Sequence, residues 1–158
     1  MIERATCDDL AEILSVQKSA FLQVGIHEQN AHLPPLVQTH REIADEFARR
    51  TFLKFTRNGK ILGSVRAHLD DYGVCQIGRL VVLPEHQGKG IGTALMASIE
   101  RTFEACAAYE LFTGARQVHT VAFYYRLGYY TVSKRVECGV SMEFMRKDRV
   151  PPTGSAQS

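Results

Sequence analysis

The most constraining feature of the sequence is a glycine-rich stretch that directly follows an apolar run. Leu80 to Leu83 favour a β-strand that Pro84 stops, and residues 87–93 read Gln-Gly-Lys-Gly-Ile-Gly-Thr before a segment of helical period. This order predicts a strand, a glycine loop and the start of a helix. The first turn of a helix has unpaired N–H groups and a partial positive charge, so such a loop is suited to binding a phosphate or pyrophosphate.

The residue types within the loop also favour an anion. Gly88, Gly90 and Gly92 lack the Cβ atoms that hold a ligand away from the backbone. Lys89 adds a mobile positive charge. Two common phosphate loops are excluded by spacing, because the Walker A pattern is absent and the dinucleotide fingerprint needs a glycine where Thr93 stands.

The remaining pattern resembles a known acyl-CoA loop. Residues 82–92 read V-x-P-x-x-Q-G-x-G-I-G, which is similar to the loop of the GNAT superfamily of acyl-CoA-dependent N-acyltransferases. A second run, Phe123 to Tyr129, reads F-Y-Y-R-L-G-Y and resembles the F-Y-x-x-L-G-F/Y signature near the C-terminal end of that fold. The two motifs stand in the family's order, and the resemblance extends to about Lys147.

The resemblance implies how the coenzyme binds. In the family the loop holds the coenzyme A pyrophosphate, and the matching residues here are Gln87, Gly88, Lys89, Gly90, Ile91, Gly92 and Thr93. The pantetheine arm is implied to pair with the exposed edge of the fourth strand, at Leu80, Val81 and Val82, where a main-chain N–H can polarise the thioester carbonyl. Acetyl-CoA is therefore the expected cosubstrate, and no metal is expected.

Tyr124 matches the tyrosine that in many GNAT enzymes can protonate the leaving thiolate. A tyrosine with a pKa of about 10 can transfer a proton to a thiolate whose conjugate acid has a pKa of about 8.5. A tyrosine that only packs and hydrogen-bonds is the alternative, and Tyr125 is expected in the core. Gln117 stands where the family often has an asparagine that touches the coenzyme arm, so that contact is open.

The resemblance implies an N-acetyltransferase in which a primary amine of a small molecule or peptide attacks acetyl-CoA directly, within a ternary complex. No nucleophilic residue is needed, and no Ser-His-Asp arrangement is legible in the sequence. The base that deprotonates the amine is not identified, since Glu28, Glu110 and Glu137 are candidates by residue type alone. The alternative function is a non-catalytic acyl-CoA-binding or sensor domain.

Hydrophobic periodicity predicts elements throughout the chain. A capping box at Thr6 starts a helix that is expected to end before Gly25, and a second helix is expected over residues 36–50. Asn58-Gly59 predicts a β-hairpin, and the strand after it, Lys60 to Leu69, is expected to have one buried and one wetter face.

The fold class predicted from these elements and the resemblance is α/β (α+β). Residues 1–148 are expected to form a single GNAT-like domain with a mixed, mostly antiparallel sheet of about six to seven strands flanked by about four helices. A central β-α-β unit, ending in a strand at Tyr109 to Thr113, is expected to hold the acyl-CoA loop. The tail, residues 149–158, is small and polar and is expected to be disordered.

The composition limits which binding partners and which cellular compartment are expected. The 158 residues are 45% hydrophobic with a net charge of +2, and no dense Lys/Arg run suggests a nucleic acid or a membrane as partner. The four cysteines form no C-x-x-C pair, so neither a zinc site nor a disulfide framework is indicated, and a cytoplasmic location is expected. A homodimer is an open expectation, because the final strands can pair between subunits or remain at the surface.

Overall fold

The computed structural model describes residues 1–149, so nearly all of the tail predicted to be disordered lies outside the described residues. Within that range seven strands form a single sheet, and five helices flank it. The elements in chain order are β1 (Ile2–Arg4), α1 (Leu10–His27), α2 (Pro34–Val37), α3 (His40–Phe47), β2 (Thr51–Arg57), β3 (Lys60–Leu69), β4 (Val74–Val82), α4 (Ile91–Thr102), β5 (Ala108–Gly114), α5 (Val118–Arg126), β6 (Tyr130–Glu137) and β7 (Val140–Asp148).

The sheet has the order β1-β2-β3-β4-β5-β7-β6. Only the pair β4 and β5 is parallel, because α4 carries the chain from one strand to the other, and every other pair is antiparallel. The predicted mixed, mostly antiparallel sheet with a central β-α-β unit is confirmed. β6 forms one edge of the sheet with mostly exposed side chains, and its pairing with a second copy of the chain stays a prediction.

Helices cover both faces of the central strands. An added Cβ at Gly63 of β3 would meet Leu95 and Ile91 of α4, so that face of β3 packs against α4. Arg66, an odd number of residues away and thus on the opposite face, bonds to Gln17 of α1. The prediction of a wetter face on β3 is therefore wrong, since β3 is buried on both sides from residue 61 to residue 67.

The capping box predicted at Thr6 opens a 3₁₀ turn, Cys7–Asp9, that leads into α1, and α1 ends later than predicted. The backbone N–H of Thr6 donates to Asp9 Oδ2 at 2.8 Å, which forms the predicted capping box, and Lys54 Nζ lies 2.8 Å from the same oxygen. The helix continues past Gly25 to His27. An added Cβ at Gly25 would lie 2.6 Å from Leu36 Cδ1, so this glycine allows α2 to approach α1 closely and does not end the helix.

The second predicted helix is divided in two. The backbone of Gln38 is extended with ψ 132°, and Thr39 begins a new helix with its own capping box, in which Glu42 N donates to Thr39 Oγ1 at 3.2 Å. This division gives five helices where about four are expected. The predicted hairpin is confirmed, since Asn58 and Gly59 have φ of 54° and 75°, as a type I′ turn requires.

Asp9→Ala is expected to lower the free energy of unfolding by about 1 kcal/mol near neutral pH, because a capping carboxylate and its bond to Lys54 are removed. Burial opposes ionisation of Asp9, but hydrogen bonds from Lys54 and Thr6 bring the pKa of the carboxyl below its ordinary value. The stabilisation is thus fully present above the ordinary carboxyl pKa and is lost as pH falls through the lowered pKa.

Urea unfolding near neutral pH and at about pH 3 measures this loss. The difference between wild type and Asp9→Ala should shrink at the lower pH. Asp8→Ala is the matched control, since Asp8 is an exposed neighbouring carboxylate outside the capping box. An Asp9→Ala effect of equal size at both pH values would show that the ionised capping bond is not its cause.

Candidate functional site

β4 and β5 are paired over only part of their length. Parallel pairing joins Val74–Gln76 to Ala108–Glu110 and stops there, although β4 continues to Val82 and β5 to Gly114. Beyond this point β4 pairs only with β3, and β5 pairs only with β7. From Ile77 onward the side of β4 that faces β5 is therefore an unpaired edge inside the sheet. Such an edge can accept an extended ligand as an added strand.

A bulge in β4 accompanies this separation. Gly78 and Val81 pair with two β3 residues that are only two positions apart, so Arg79 and Leu80 together oppose Val65. Arg79 has a φ of 51°, in the left-handed region. A bulge bends its strand and increases the local twist, which is consistent with the divergence of β4 from β5.

The glycine loop lies between the end of β4 and α4. Gly88 and Gly90 have φ of 75° and 86°, and an added Cβ at either would meet no atom within 4 Å. Within residues 1–149 none of the six backbone N–H groups from Gly88 to Thr93 is bonded to an acceptor. The first N–H groups of α4 and those of the loop are thus available to an anion.

The other loop residues have more varied positions. Gln87 Nε2 donates to the carbonyl of Val82 at 3.0 Å, which ties the exposed loop to the end of β4. Ile91 is buried in the core, whereas Lys89 and Thr93 are exposed. An added Cβ at Gly92 would lie 3.5 Å from Phe123 Cζ, an ordinary contact distance, so α5 packs beside the first turn of α4.

Tyr124 is 7% exposed and lies between two aromatic rings. Its ring centroid is 5.2 Å from that of Phe123 and 5.9 Å from that of Tyr129. Unlike the hydroxyls of Tyr125 and Tyr129, the hydroxyl of Tyr124 makes no hydrogen bond within residues 1–149. Burial raises the pKa of Tyr124, so the hydroxyl stays protonated and can donate to a bound group.

The expectation that Tyr125 belongs to the core is wrong. Tyr125 is 48% exposed, and its hydroxyl bonds to Thr131 at 2.5 Å and to Glu143 at 3.3 Å. The inward face of α5 instead carries Val121 and Tyr124. A short helix with aromatic residues on several sides gives no clear hydrophobic period, so the sequence pattern does not show which tyrosine faces the core.

Gln117 connects the end of α1 to the segment before α5. Its Nε2 lies 2.9 Å from His27 Nδ1 and 3.4 Å from Glu28 Oε2, and Arg116 Nη1 lies 3.7 Å from Glu28 Oε1. The Glu28 side chain is only 4% exposed. The amide of Gln117 is therefore directed at α1, and the coenzyme contact of the asparagine at this position in the family stays open here.

The three carboxylates considered as bases lie in different environments. Glu28 is held beside Gln117, as described above. Glu110 is paired with Arg146 at 2.9 Å and accepts a hydrogen bond from Gln76, also at 2.9 Å. Glu137 is exposed at the end of β6. The structure does not bring these groups together, and it does not single out one of them as a base.

A cleft of about 450 Å³ lies on the face of the sheet that α1 and α3 cover. Arg79 of β4 forms its wall on the sheet side, and the other lining residues are His32, Pro34, Val37, Gln38, Glu42, Asp45, Glu46 and Arg49. Because Arg79 directly precedes Leu80, the cleft adjoins the unpaired edge of β4. Sequence reasoning did not identify this cleft, although an arginine within an apolar β run was a signal for it.

A buried polar network supports the cleft from behind. Arg66 is 1% exposed, its Nη2 donates to Gln17 Oε1 at 2.6 Å, and its Nε lies 3.1 Å from Glu46 Oε2. Burial lowers the pKa of Arg66 to about 9 and the Glu46 carboxylate opposes that shift, so the guanidinium is charged near neutral pH. Gln17, the polar residue that interrupts the apolar stripe of α1, was the sequence signal for this network.

The cysteines contribute no linkage to the site. All four are unpaired, and Cys75 and Cys106 are buried. Burial raises the pKa of the Cys75 thiol to about 12, which makes it a poor nucleophile near neutral pH. In residues 1–149 no three His, Cys, Asp or Glu side chains are grouped to hold a metal ion. No helix in that range combines the length and apolarity needed to cross a bilayer.

A family profile matches most of the chain. It is described as the acetyltransferase (GNAT) family and covers residues 9–129. No curated protein sequence matches the chain significantly.

Solved structures share the fold at low sequence identity. PaiA N-acetyltransferase from Thermoplasma acidophilum, in complex with coenzyme A, has a TM-score of 0.78 at 16% identity and covers 94% of this chain and 98% of its own. Ribosomal-protein-alanine N-acetyltransferase from Brucella melitensis has a TM-score of 0.74 at 18% identity, and the match covers 94% of this chain and 99% of that protein. YncA from Salmonella typhimurium, solved with acetyl-CoA, has a TM-score of 0.74 at 17% identity, and the match covers 97% of this chain and 95% of that protein.

Gly90→Ala is expected to lower the free energy of unfolding by about 1 kcal/mol, because Gly90 begins α4 with a φ of 86° that a residue with a Cβ adopts at a cost. Gly78→Ala is the control, since Gly78 has no positive φ and an added Cβ there would meet open space. Urea denaturation of both variants measures the difference. Equal destabilisation by the two substitutions would contradict the conformational requirement at Gly90.

Proposed function

The chain belongs to the acetyltransferase (GNAT) family and is thus an acyltransferase, and from this premise we propose that it transfers the acetyl group of acetyl-CoA to a primary amine of a small molecule or peptide. The transfer is direct, within a ternary complex of enzyme, acetyl-CoA and amine. The observation that carries the proposal is the unpaired edge of β4, which leads directly into a loop whose six backbone N–H groups bond to no acceptor within residues 1–149.

The proposed coenzyme position follows the chain from β4 to α4. The pyrophosphate binds the N–H groups of residues 88–93, with the Lys89 ammonium as a counter-charge. The pantetheine arm extends along Leu80–Val82 and forms main-chain hydrogen bonds where β5 has diverged. The residues present fit such a ligand, since Gly88 and Gly90 leave open space where side chains would stand. Two structures of the same fold were solved with coenzyme A or acetyl-CoA, which supports the placement.

The chemistry is an aminolysis of a thioester. The acceptor ammonium first loses a proton to solvent, and the neutral amine nitrogen then forms a bond to the acetyl carbonyl carbon. A main-chain N–H of the Leu80–Val82 edge stabilises the oxyanion that develops. As the C–S bond breaks, the Tyr124 hydroxyl gives its proton to the departing thiolate. The nitrogen releases a second proton, and the tyrosinate is reprotonated through solvent.

Several features of Tyr124 support this role. In the described residues its hydroxyl makes no hydrogen bond, so donation to a thiolate breaks none of the bonds seen there. Phe123, the residue before it, packs against Gly92 at the start of α4, which fixes α5 beside the loop. Tyr129 is already bonded to Glu100 at 2.8 Å and supports the ring of Tyr124. The proposed role of Tyr124 therefore requires a ring that packing holds in place and a hydroxyl that can donate to the ligand.

Tyr124→Phe is expected to reduce kcat by about a hundredfold while the affinity for acetyl-CoA is nearly kept, because only the proton donor is removed. Steady-state thiol release and calorimetric titration with acetyl-CoA measure the two effects. Tyr125→Phe is the control, since the Tyr125 hydroxyl is directed at Thr131 and Glu143. This substitution should leave kcat and the affinity for acetyl-CoA unchanged. An unchanged kcat in Tyr124→Phe would remove the proposed role.

Acetyl-CoA is expected to slow backbone amide exchange at two places, residues 88–93 and the edge of Leu80–Val82, because both gain hydrogen-bond acceptors. Hydrogen exchange followed by NMR measures both. Inorganic pyrophosphate is the control ligand and should protect only the loop. Protection of the loop alone by acetyl-CoA would refute strand pairing by pantetheine, and protection at neither place would overturn the coenzyme site.

A further inference from the structure

Arg79 has a backbone conformation that an arginine rarely adopts. Its φ of 51° lies in the left-handed region, where a residue with a Cβ costs about 1 kcal/mol or more. The strain results from the β4 bulge, which directs the Arg79 side chain to the face that α3 covers. Glycine or asparagine fits such a position better. An arginine at this position therefore points to a role for its guanidinium group.

The guanidinium of Arg79 forms no ion pair within residues 1–149. Its Nε is buried without a hydrogen-bond acceptor within residues 1–149, and no carboxylate there lies within 4.0 Å of its nitrogens. A buried cationic donor without an acceptor is unfavourable, because the lost hydration is not replaced. The position is therefore suited to an anion from outside the chain.

Arg66, in the neighbouring strand, increases the local excess of positive charge. Its Nη1 is also buried without an acceptor, and Arg79 is close enough to disfavour the charged form of Arg66. Glu46 is the carboxylate that pairs with Arg66, at 3.1 Å. In the described part of the chain, one partly buried carboxylate, Glu46, thus faces a buried guanidinium and a partly buried one. An acceptor carboxylate would add a second negative charge at this depth.

The location of Arg79 connects this charge to the acetyl transfer. Arg79 lines the cleft of about 450 Å³ and directly precedes Leu80, the first residue of the proposed pantetheine edge. An added Cβ at Gly78 would meet open space, so the backbone beside Arg79 is not covered by another element. An acceptor in this cleft can therefore touch Arg79 beside the proposed acyl site.

The exposed charged residues at the cleft, two carboxylates and Arg49, fit an acceptor with charges of both signs. Glu42 and Asp45 are exposed on α3, and Glu42 is engaged with Thr39 in its capping box. Their charges are screened by solvent, so they oppose an anion at the more buried Arg79 only weakly. They can also attract the ammonium form of an arriving amine.

We propose that the acceptor carries a carboxylate a few bonds from its amine nitrogen, and that this carboxylate binds Arg79, with Arg66 behind it. The acceptor class is then amino acids or short peptides with a free carboxylate near the reacting amine. A guanidinium suits this role because it can form two parallel hydrogen bonds to a carboxylate. The inference rests on the proposed acetyl transfer and assigns its acceptor specificity.

Matched acceptor pairs test the inference. Thiol release from acetyl-CoA is measured with a panel of amino acids and dipeptides and with the corresponding C-terminal carboxamides. The wild-type enzyme is expected to have a kcat/KM at least about tenfold higher for the best carboxylate than for its amide. Arg79→Gln should lower kcat/KM for the carboxylate by about ten- to a hundredfold and change that for the amide by less than about twofold.

Two further variants keep the test interpretable. Arg79→Gly fits the left-handed backbone and should fold even if Arg79→Gln does not, while it loses the same carboxylate preference. Arg41→Gln removes an equal charge from an exposed site on α3 outside the cleft. It should leave kcat/KM unchanged for both the carboxylate and the amide of each acceptor pair. Circular dichroism and thermal unfolding confirm that each variant is folded.

The outcomes separate this inference from the function on which it rests. If acetyl-CoA does not bind in calorimetry, the proposed acetyl transfer itself fails. If acetyl-CoA binds and amines are acetylated without a carboxylate preference, or with one that survives both Arg79 variants, only the acceptor inference is overturned. Acetyl-CoA binding with acetylation of simple amines but of no carboxylate in the panel would also overturn it.

Discussion

The arrangement of the proposed site depends on the point at which hydrogen bonding between β4 and β5 stops. Their parallel ladder ends at Gln76 and Glu110, yet both strands continue for several residues. Each strand keeps its other neighbour, β3 or β7, so the sheet stays intact while an edge is exposed in its middle. An open edge at the margin of a sheet is a liability, but one in the interior is accessible only to a narrow, extended partner. The coenzyme arm of an acetyltransferase has that shape.

The same divergence gives access to the site from both faces of the sheet. On one face the glycine loop and the first turn of α4 present free N–H groups. On the other face the bulge at Arg79 borders the cleft against α3. The proposed acetyl donor and acceptor therefore approach the same short segment of β4 from opposite sides. This arrangement suits direct transfer, because no covalent enzyme intermediate is needed to carry the acetyl group between separate pockets.

The family membership and the mixed sheet with its β-α-β unit followed from local signals. The strand-loop-helix order at residues 80–93, the turn at Asn58-Gly59 and the motif at Phe123 to Tyr129 are contiguous, and their backbone requirements are set by residues close in sequence. The errors arose where a contact outside the local sequence pattern decided the outcome. Leu36 explains the glycine inside α1, and contacts with Thr131 and Glu143 place Tyr125 outside the core.

The sequence by itself determined which residues form the loop and the aromatic motif, and so the family and the expected coenzyme. Their individual roles, including that of Tyr124, stay predictions. Tertiary structure alone decided where β4 leaves β5, that Arg66 is buried, and that Arg79 lines a cleft beside the proposed acyl site. The physical reason is that turns, caps and short motifs depend on neighbouring residues, whereas burial and charge balance depend on groups brought together from α1, α3, β3 and β4. A sequence pattern shows an arginine in a strand, but only the packed fold shows that its Nε is buried without an acceptor in the described residues.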